Sequence, residues 1–313
     1  MDVNRKNILK SNIIDAKKTK VSKRPVLNVM LTCRERTYFT QKVIEALHEN
    51  TSKFHKINIY CYDNLSDLGS GRMSIFEELL EEKKIVYYSY DTTTSTNKSF
   101  PKSIIYNDWF YKMATFNKMP NTDETRYYLM IDNDMVVCPY WDEFFLSAAD
   151  HALPSTRYLV KRPGGMVARR GKIHTKEVEN RYNKEEKFDL MYASFGGGSG
   201  FWFMNQNMLN KHVWIQNVAV SSYGNHRGDD IAIWRAIDKF NGKQTQYVAG
   251  ITALKEKPLV LHMGSVLGSM CNFRPQEYVS QKDTQAEADE ILSELSVSEI
   301  IEKYKYDKQC TTW

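Results

Sequence analysis

The sequence has few of the features that mark secreted, fibrous or membrane-spanning proteins. Its five cysteines are an odd number without a C-x-x-C pair, which argues against a disulfide framework and a zinc site. Only 15 glycines and 8 prolines occur in 313 residues, which excludes collagen-like and linker-like chains. No apolar run approaches the roughly 18 residues of a membrane-spanning helix. Because the basic start also lacks the apolar core of a secretory signal, we expect a cytoplasmic protein without a transmembrane segment.

The charged residues are concentrated in three segments. Residues 1–24 hold eight Lys and Arg against two Asp, and residues 157–187 hold ten against four Glu. Residues 276–313 are acidic, with four Lys against nine Asp and Glu. The two basic segments indicate an anionic partner, with nucleic acid as the first candidate and peripheral contact with an anionic membrane surface as the second. A disordered tail and a solvated loop are the alternative explanation.

Hydrophobic periodicity predicts alternating strands and helices from residue 25 onward. The segments predicted as strands are PVLNVMLTC, INIYCY, IVYYSY and YYLMIDNDMVV. The segments predicted as helices are TYFTQKVIEALHE, MSIFEELLEEKK and IIYNDWFYKMATF. Such alternation indicates right-handed βαβ units and an α/β fold with a mostly parallel sheet. The acidic amphipathic stretch 284–304 is expected to be helical and to pack back on the body.

Polar residues follow two of the predicted strands, at the ends where α/β sheets bind ligands. Asp63 ends the second strand, where an Asx-type turn is the alternative explanation. Asp132 and Asp134 end the fourth strand, and in an extended backbone residues two apart face the same side. Two adjacent carboxylates repel unless a cation lies between them, and Mg²⁺ or Mn²⁺ prefers such oxygen ligands and bridges diphosphates. A metal site is therefore favoured over a solvated turn.

Three features further along the chain add polar or flexible residues beside apolar elements. The segment GGGSGFWFMN joins a glycine run to an aromatic strand. Asp229 and Asp230 stand at the start of an apolar-periodic helix, where a plain helix cap is the alternative. His262 ends a short apolar strand, where a structural histidine is the alternative. The order of these features along the chain is more informative than any one of them.

In this order the motifs resemble those of the nucleotide-sugar-dependent glycosyltransferases of the GT-A fold, closest to glycosyltransferase family 2. The resemblance covers roughly residues 25–270. VMLTCRER resembles the opening strand and loop of the family, YDNLSD its second-strand Asp, and IDNDMVV its metal-binding Asp-x-Asp. GGGSGFWFMN resembles its acceptor strand, GDDIAIWRAI its acidic pair with Trp and Arg, and HMGS its late His. The opening loop departs from the usual Pro-x-Tyr-Asn form, and Asp-Asp stands where Glu-Asp is commoner.

The resemblance implies a GT-A, Rossmann-like fold, a mixed and mostly parallel sheet flanked by helices with a C-terminal helical tail. We expect a basic arm at 1–24, a glycosyltransferase domain at 25–270 and an acidic helical tail at 271–313. Within the domain, residues 25–137 would bind the nucleotide sugar and residues 138–270 the acceptor.

The resemblance also implies roles for individual residues. The nucleotide-sugar pocket would comprise Thr32, Cys33, Arg36, Asp63, Asp132 and Asn133. The ligands of Mn²⁺ or Mg²⁺ would be Asp132, Asp134 and His262, and the acceptor side would comprise Gly198, Ser199, Gly200 and Trp202. The base that deprotonates the acceptor hydroxyl would be Asp230 or its neighbour Asp229, and the choice between them stays open.

These roles imply a metal-dependent, inverting glycosyltransferase that moves a sugar from a nucleoside-diphosphate donor, UDP first, to an acceptor hydroxyl. The basic segments favour an anionic acceptor such as modified DNA, and a cell-surface glycan, glycolipid or protein is the alternative acceptor. A nucleic-acid-binding module without transferase activity is the alternative of another class, although no nucleic-acid-binding motif occurs in the sequence. The intact acidic residues argue against a catalytically inactive relative.

Overall fold

The structure is a computed structural model that describes twelve stretches of the chain. These are residues 25–33, 36–64, 72–91, 105, 108–113, 125–151, 174–185, 187–193, 201–206, 246–249, 259–263 and 290–306. The strands are β1 (Val26–Cys33), β2 (Lys56–Asn64), β3 (Tyr87–Asp91), β4 (Arg126–Asp132), β5 (Met135–Val137), β6 (His174–Glu179), β7 (Lys187–Ala193), β8 (Phe201–Asn205), β9 (Gln246–Ala249) and β10 (Val260–His262). The helices are α1 (Thr37–Asn50), α2 (Arg72–Glu81), α3 (Trp141–His151) and α4 (Val297–Tyr304).

The central sheet has the strand order β3-β2-β1-β4-β8. Its first four strands are parallel, and β8 runs antiparallel to β4. The mixed, mostly parallel α/β architecture predicted from the sequence is therefore confirmed. The chain builds outward from β1 to β3 and then returns to the other side of β1 with β4. The strand order thus reverses between β1 and β4, and α/β sheets bind ligands in a crevice beyond the carboxyl ends of the strands at such a point.

The two faces of the central sheet carry different residues. Alternate residues of β1, from Leu27 to Cys33, belong to the same buried cluster as the apolar face of α1. The other face carries Met30 and Met130, both buried, together with Tyr128, which contacts Trp109 edge-on at 5.9 Å between ring centroids. The sheet is therefore covered on both faces, which is the usual condition of parallel sheets.

The helix α3 joins the connection between α1 and β2 to the core. The buried carboxylate of Asp142 accepts hydrogen bonds from the backbone N–H groups of Ser52 at 2.8 Å and Lys53 at 2.6 Å. Burial raises the pKa of Asp142, and these backbone donors oppose the rise. Trp141 adds a hydrogen bond from its indole Nε1 to Thr51 Oγ1 at 3.2 Å. The far end of α1 is thus fixed to the body.

The described part of the acidic C-terminal segment, residues 290–306, is largely helical and packs on the body, as its amphipathic pattern predicts. Residues 290–294 and α4 are helical, and α4 begins with a capping box formed by Ser296 and Glu299. Leu292, Ile300 and Tyr304 belong to the same core cluster as α1. None of the helices in the described stretches is long and apolar enough to cross a membrane.

The prediction of one strand over YYLMIDNDMVV is wrong. The strand β4 ends at Asp132, Asn133 and Asp134 form a turn, and β5 starts at Met135. The strand β5 leaves the central sheet and pairs with β10 in an antiparallel arrangement, with Met135 opposite His262. Asn and Asp favour turns because their side chains compete for backbone hydrogen bonds, and this preference is stronger here than the apolar pattern on both sides.

Candidate active site

Three separate parts of the chain meet at the carboxyl ends of β1 and β4. Arg36 precedes α1, Asp132 to Asp134 follow β4, and His262 ends β10. The pairing of β5 with β10 brings His262 to the turn, and the N–H of Met263 donates to the carbonyl of Asp134 at 2.8 Å. The sequence motifs singled out at positions 36, 132–134 and 262 therefore form one cluster, which we call the strand-end cluster.

A buried ion pair lies at the centre of the strand-end cluster. Arg36 Nη1 lies 2.7 Å from Asp134 Oδ2, and the two side chains are only 4% and 8% exposed. His262 Nε2 lies 3.5 Å from the same oxygen and is 22% exposed. One carboxylate oxygen is thus approached by a guanidinium and by an imidazole, so the cluster is built around the negative charge of Asp134.

The second acid of the cluster, Asp132, has a different partner. Thr32 Oγ1 donates to Asp132 Oδ1 at 3.0 Å, and Thr32 is also the register partner of Asp132 in the sheet. Asp132 is half-buried, unlike Asp134. The premise that an extended backbone aims both carboxylates the same way is wrong, because Asn133 and Asp134 lie in a turn. Asp132 is the last residue of β4, and the turn begins directly after it.

The middle residue of the turn has a positioning role. Asn133 is buried, and its Nδ2 donates to Thr40 Oγ1 at 3.2 Å. Thr40 Oγ1 in turn donates to the carbonyl of Arg36 at 3.0 Å. Arg36 has a left-handed backbone, with φ 57° and ψ 52°, which costs a non-glycine residue about 1–2 kcal/mol. The Asn133–Thr40 link therefore ties the turn to the residue whose side chain binds Asp134.

Cys33 and Asp63 lie on the opposite face of the sheet from Thr32. They are register partners, and both are buried. Tyr88 Oη donates to Asp63 Oδ2 at 3.2 Å, and the Tyr88 ring stacks on Phe76 of α2 at 4.4 Å. The structure thus brings Thr32, Arg36, Asp132, Asn133, Asp134 and His262 together, and it leaves Cys33 and Asp63 outside that group.

A tyrosine-rich cluster on the Thr32 face was missed by the sequence analysis. Tyr62 is the register partner of Thr32, and its hydroxyl donates to Asp108 Oδ2 at 3.0 Å. Lys112 forms an ion pair with Asp108, and its Nζ lies 4.8 Å from the ring centroid of Tyr87 and 5.6 Å from that of Tyr62. The sequence contains a pattern that could have indicated this ion pair, because Asp108 and Lys112 are four residues apart and so are neighbours on a helix face.

The electrostatics of this cluster oppose ionisation of its buried phenol. Burial raises the pKa of Tyr62 far above 10.0, and the charge and hydrogen bond of Asp108 raise it further. Burial of Lys112 opposes its positive charge, but the hydrogen bond and charge of Asp108 leave its pKa raised. Tyr62 is therefore a neutral donor on the strand next to Thr32, and Lys112 is a cation beside Tyr62.

The strand-end cluster offers two side chains of the kinds that bind a divalent ion. Among the residues with described placement, no three His, Cys, Asp or Glu side chains are grouped closely enough to hold a metal. Asp134 and His262 nevertheless offer a carboxylate oxygen and an imidazole nitrogen, and Mn²⁺ accepts both. Asp134 and His262 would therefore hold a divalent ion here, and Arg36 would compete with it for Asp134.

The remaining predicted site residues are on the acceptor side. Asp229, Asp230, Gly198, Ser199 and Gly200 lie outside the described residues. The backbone of Trp202 lies in β8 opposite Met130, and Phe201 at the start of β8 pairs with Ile131. The first residue of β8 is thus next to the end of β4, close to Asp132.

Comparisons with known proteins gave structural likenesses alone. No protein-family model and no curated protein sequence matches the chain. The chain is similar to a glycosyltransferase involved in the glycosylation of the major capsid of PBCV-1, with 12% identity over 87% of this chain and 100% of that chain, at a TM-score of 0.41. It is similar to the glycosyltransferase GlyE of Streptococcus pneumoniae TIGR4, with 10% identity over 92% of this chain and 64% of that chain, at 0.37. It is also similar to S. aureus TarS 1-349 in complex with UDP-GlcNAc. The identity is 12% over 87% of this chain and 68% of that chain, at a TM-score of 0.42. At such scores a likeness does not assign an activity, which has to be inferred from the site.

Proposed function

We propose that this chain is a glycosyltransferase that transfers a sugar from a nucleoside diphosphate, UDP first, to an acceptor hydroxyl. The observation that carries the proposal is the convergence of Arg36 and His262 on one carboxylate oxygen of Asp134. This convergence lies beyond the ends of β1 and β4, where the strand order reverses and α/β sheets bind nucleotides. Acid, guanidinium and imidazole together suit a ligand that carries both phosphate and a cation.

The donor would be bound mainly by the β1–β4 side of the crevice. A guanidinium matches phosphate oxygens through paired N–H donors, so Arg36 is the residue proposed to contact the diphosphate. Asp132 is half-buried beside Thr32, and a carboxylate there suits a ribose hydroxyl, which can donate to it. Asn133 would act by holding the turn, and Cys33 and Asp63 by shaping the neighbouring strand ends.

The proposed cofactor is Mn²⁺ or Mg²⁺, held by Asp134 and His262 with Asp132 as a further ligand. When bound, such an ion supplies charge neutralisation for the departing nucleoside diphosphate. Asp230, or Asp229 beside it, would accept the proton of the acceptor hydroxyl as its oxygen attacks the anomeric carbon. Direct attack at that carbon inverts its configuration.

The test of the activity is a screen of nucleotide sugars for hydrolysis with Mn²⁺ present, compared with the same reactions in chelator. One donor, UDP-linked first, should be hydrolysed only with the metal. In Asp230→Asn turnover should fall by roughly 10²–10⁴ while donor affinity barely changes. Glu302→Gln, on the exposed face of α4, removes the same charge and should leave turnover unchanged.

Two results would count against this assignment. If no nucleotide sugar is hydrolysed and no nucleoside diphosphate binds, the chain is not a glycosyltransferase of this kind. If Asp229→Asn lowers turnover and Asp230→Asn does not, the activity stands and the base is Asp229.

For the acceptor we propose a polyanion, with nucleic acid first, because residues 157–187 hold ten Lys and Arg against four Glu. Binding of duplex or single-stranded DNA should weaken steeply as salt rises, since each neutralised phosphate releases a counterion. Removal of residues 1–24 should reduce the affinity and its salt dependence. Binding that is absent at low salt, or indifferent to salt and to this truncation, would leave a neutral glycan or protein as the acceptor.

A further inference from the structure

The ion pair between Arg36 and Asp134 occupies the oxygen that the proposed metal would use. Arg36 Nη1 lies 2.7 Å from Asp134 Oδ2, and His262 Nε2 lies 3.5 Å from that same atom. A divalent ion bound there by Asp134 and His262 would stand a few ångströms from the guanidinium. Two cations on one buried carboxylate oxygen repel each other, and burial weakens the solvent screening between them.

The backbone holds Arg36 in this competing position. Arg36 adopts a left-handed conformation at φ 57°, which is uncommon for any residue but glycine. Its carbonyl accepts from both the N–H and the Oγ1 of Thr40, each at 3.0 Å. Asn133 donates to the same Oγ1 from the turn. The backbone of Arg36 is therefore fixed where its guanidinium reaches Asp134. The turn is linked to this backbone a second time, through Asn133 and Thr40.

A diphosphate changes the charge balance of the cluster. Its oxygens accept paired N–H donors from a guanidinium, and they also bind a divalent ion. With the diphosphate present, Arg36 and the metal each gain a negative partner, and they no longer compete for one oxygen of Asp134. The binding of metal and of diphosphate is then coupled, and thermodynamic linkage makes the coupling reciprocal.

We propose that Arg36 is a built-in counter-cation for Asp134 that weakens metal binding until a diphosphate arrives. The inference rests on the proposed function, since it takes the nucleoside diphosphate and the divalent ion from there. Its consequence is that donor and metal enter together, and that the free ion binds poorly to the donor-free protein.

The test uses two binding measurements on the full chain. Binding of Mn²⁺ alone is followed by electron paramagnetic resonance of the free ion. Binding of UDP at saturating Mn²⁺ is followed by calorimetry. In Arg36→Gln the competing charge is gone, and the shorter side chain no longer reaches the oxygen of Asp134. Mn²⁺ alone should bind about 5- to 150-fold more tightly than to the unaltered chain, and UDP should bind more weakly by a similar factor.

The opposite signs of these two changes separate the proposal from a purely structural role. A residue that merely supports the fold would weaken both affinities when it is replaced. Lys42→Met is the matched control, because Lys42 also lies near the start of α1 but pairs with Glu45 at 2.9 Å. It removes one positive charge, and both affinities should stay within about twofold of the unaltered chain.

A second variant keeps the test decisive if Arg36→Gln does not fold. Glycine suits the left-handed backbone at position 36, so Arg36→Gly relieves strain there. Mn²⁺ alone should again bind more tightly, and added methylguanidinium should weaken it by refilling the space beside Asp134. A melting temperature close to that of the unaltered chain identifies a variant fit for comparison.

The possible failures are distinguishable. If the unaltered chain binds UDP with Mn²⁺ but neither folded variant binds Mn²⁺ alone more tightly, the counter-cation role of Arg36 is overturned and the proposed function stands. If the unaltered chain binds no UDP in the presence of Mn²⁺, the proposed function fails and the inference fails with it.

Discussion

Aspartates lie at the carboxyl ends of both β2 and β4, yet the two ends are built differently. At the end of β4, Asp134 is bonded to Arg36 and approached by His262, and Asp132 is half-buried beside Thr32. At the end of β2, Asp63 is fully buried and accepts a hydrogen bond from Tyr88. At the first end one acid, Asp134, has a guanidinium and an imidazole as partners, whereas at the second end Asp63 accepts from a neutral hydroxyl.

The difference shows which end is suited to a charged ligand. A carboxylate held by cations can exchange one cation for another when a ligand arrives. A fully buried carboxylate that accepts from a hydroxyl has no cation to exchange at that bond. The position of an acid at a strand end is therefore a weaker guide to function than the charge of its partner.

The largest effect expected from this comparison is on metal-dependent donor binding. Asp134→Asn should remove the increase in UDP affinity caused by Mn²⁺, a loss of more than about 100-fold, because the carboxylate proposed to hold the ion is gone. Asp63→Asn should keep that increase, since Tyr88 can donate to the amide oxygen. Calorimetric titration of UDP with and without Mn²⁺ measures both. If both variants lose the Mn²⁺-dependent gain in UDP affinity equally, the contrast between the two strand ends is wrong and Asp63 belongs to the pocket.

A smaller effect is expected on stability, in the opposite order. Tyr88→Phe leaves a buried carboxylate with one donor fewer and should lower the free energy of unfolding by about 1–3 kcal/mol. Thr32→Val should lower it by only about 0.5–1.5 kcal/mol, because the half-buried Asp132 can bond to water instead. Urea denaturation measures both, with Tyr111→Phe as an exposed control. A greater loss from Thr32→Val than from Tyr88→Phe would contradict this order.

The smallest expected effect concerns the tyrosine beside Thr32. Because burial and Asp108 raise the pKa of Tyr62, the folded state keeps this proton to a higher pH than the unfolded state. The contribution of Tyr62 to stability is therefore constant below about pH 10 and falls as pH rises further. Phenolate absorbance near 295 nm should have the same amplitude up to pH 10.5 in the unaltered chain and in Tyr62→Phe. A smaller amplitude in the variant would show that Tyr62 ionises normally.

The sequence predicted the central sheet because each strand carries a buried apolar run and each helix an apolar face. It also predicted that Asp132, Asp134 and His262 belong to one site, through their order along the chain. It could not predict the turn at Asn133, since apolar residues on both sides favoured one continuous strand. The ion pair of Arg36 with Asp134 was equally hidden, because no local pattern marks a bond between two loops that follow different strands.

The sequence predicts which strand residues share a face of the sheet, but it does not predict which face carries the site. Thr32 and Cys33 are adjacent, so strand alternation places them on opposite sides of the sheet. Which side holds the cluster depends on where Asp132 and Arg36 lie, and that depends on tertiary packing. The family resemblance grouped Cys33 and Asp63 with Thr32, and that grouping did not take the alternation into account.

The pairing of β5 with β10 has a consequence for how the molecule assembles. Met135 and His262 are far apart along the chain, so the loop between them must close before His262 can reach Asp134. Loop closure carries an entropic cost that grows with loop length, and contacts between distant residues slow folding. The strands β1 to β4, with Arg36 and Asp134, all precede His262 along the chain. During synthesis the chain can therefore hold these parallel strands and the Arg36–Asp134 pair while it still lacks the histidine.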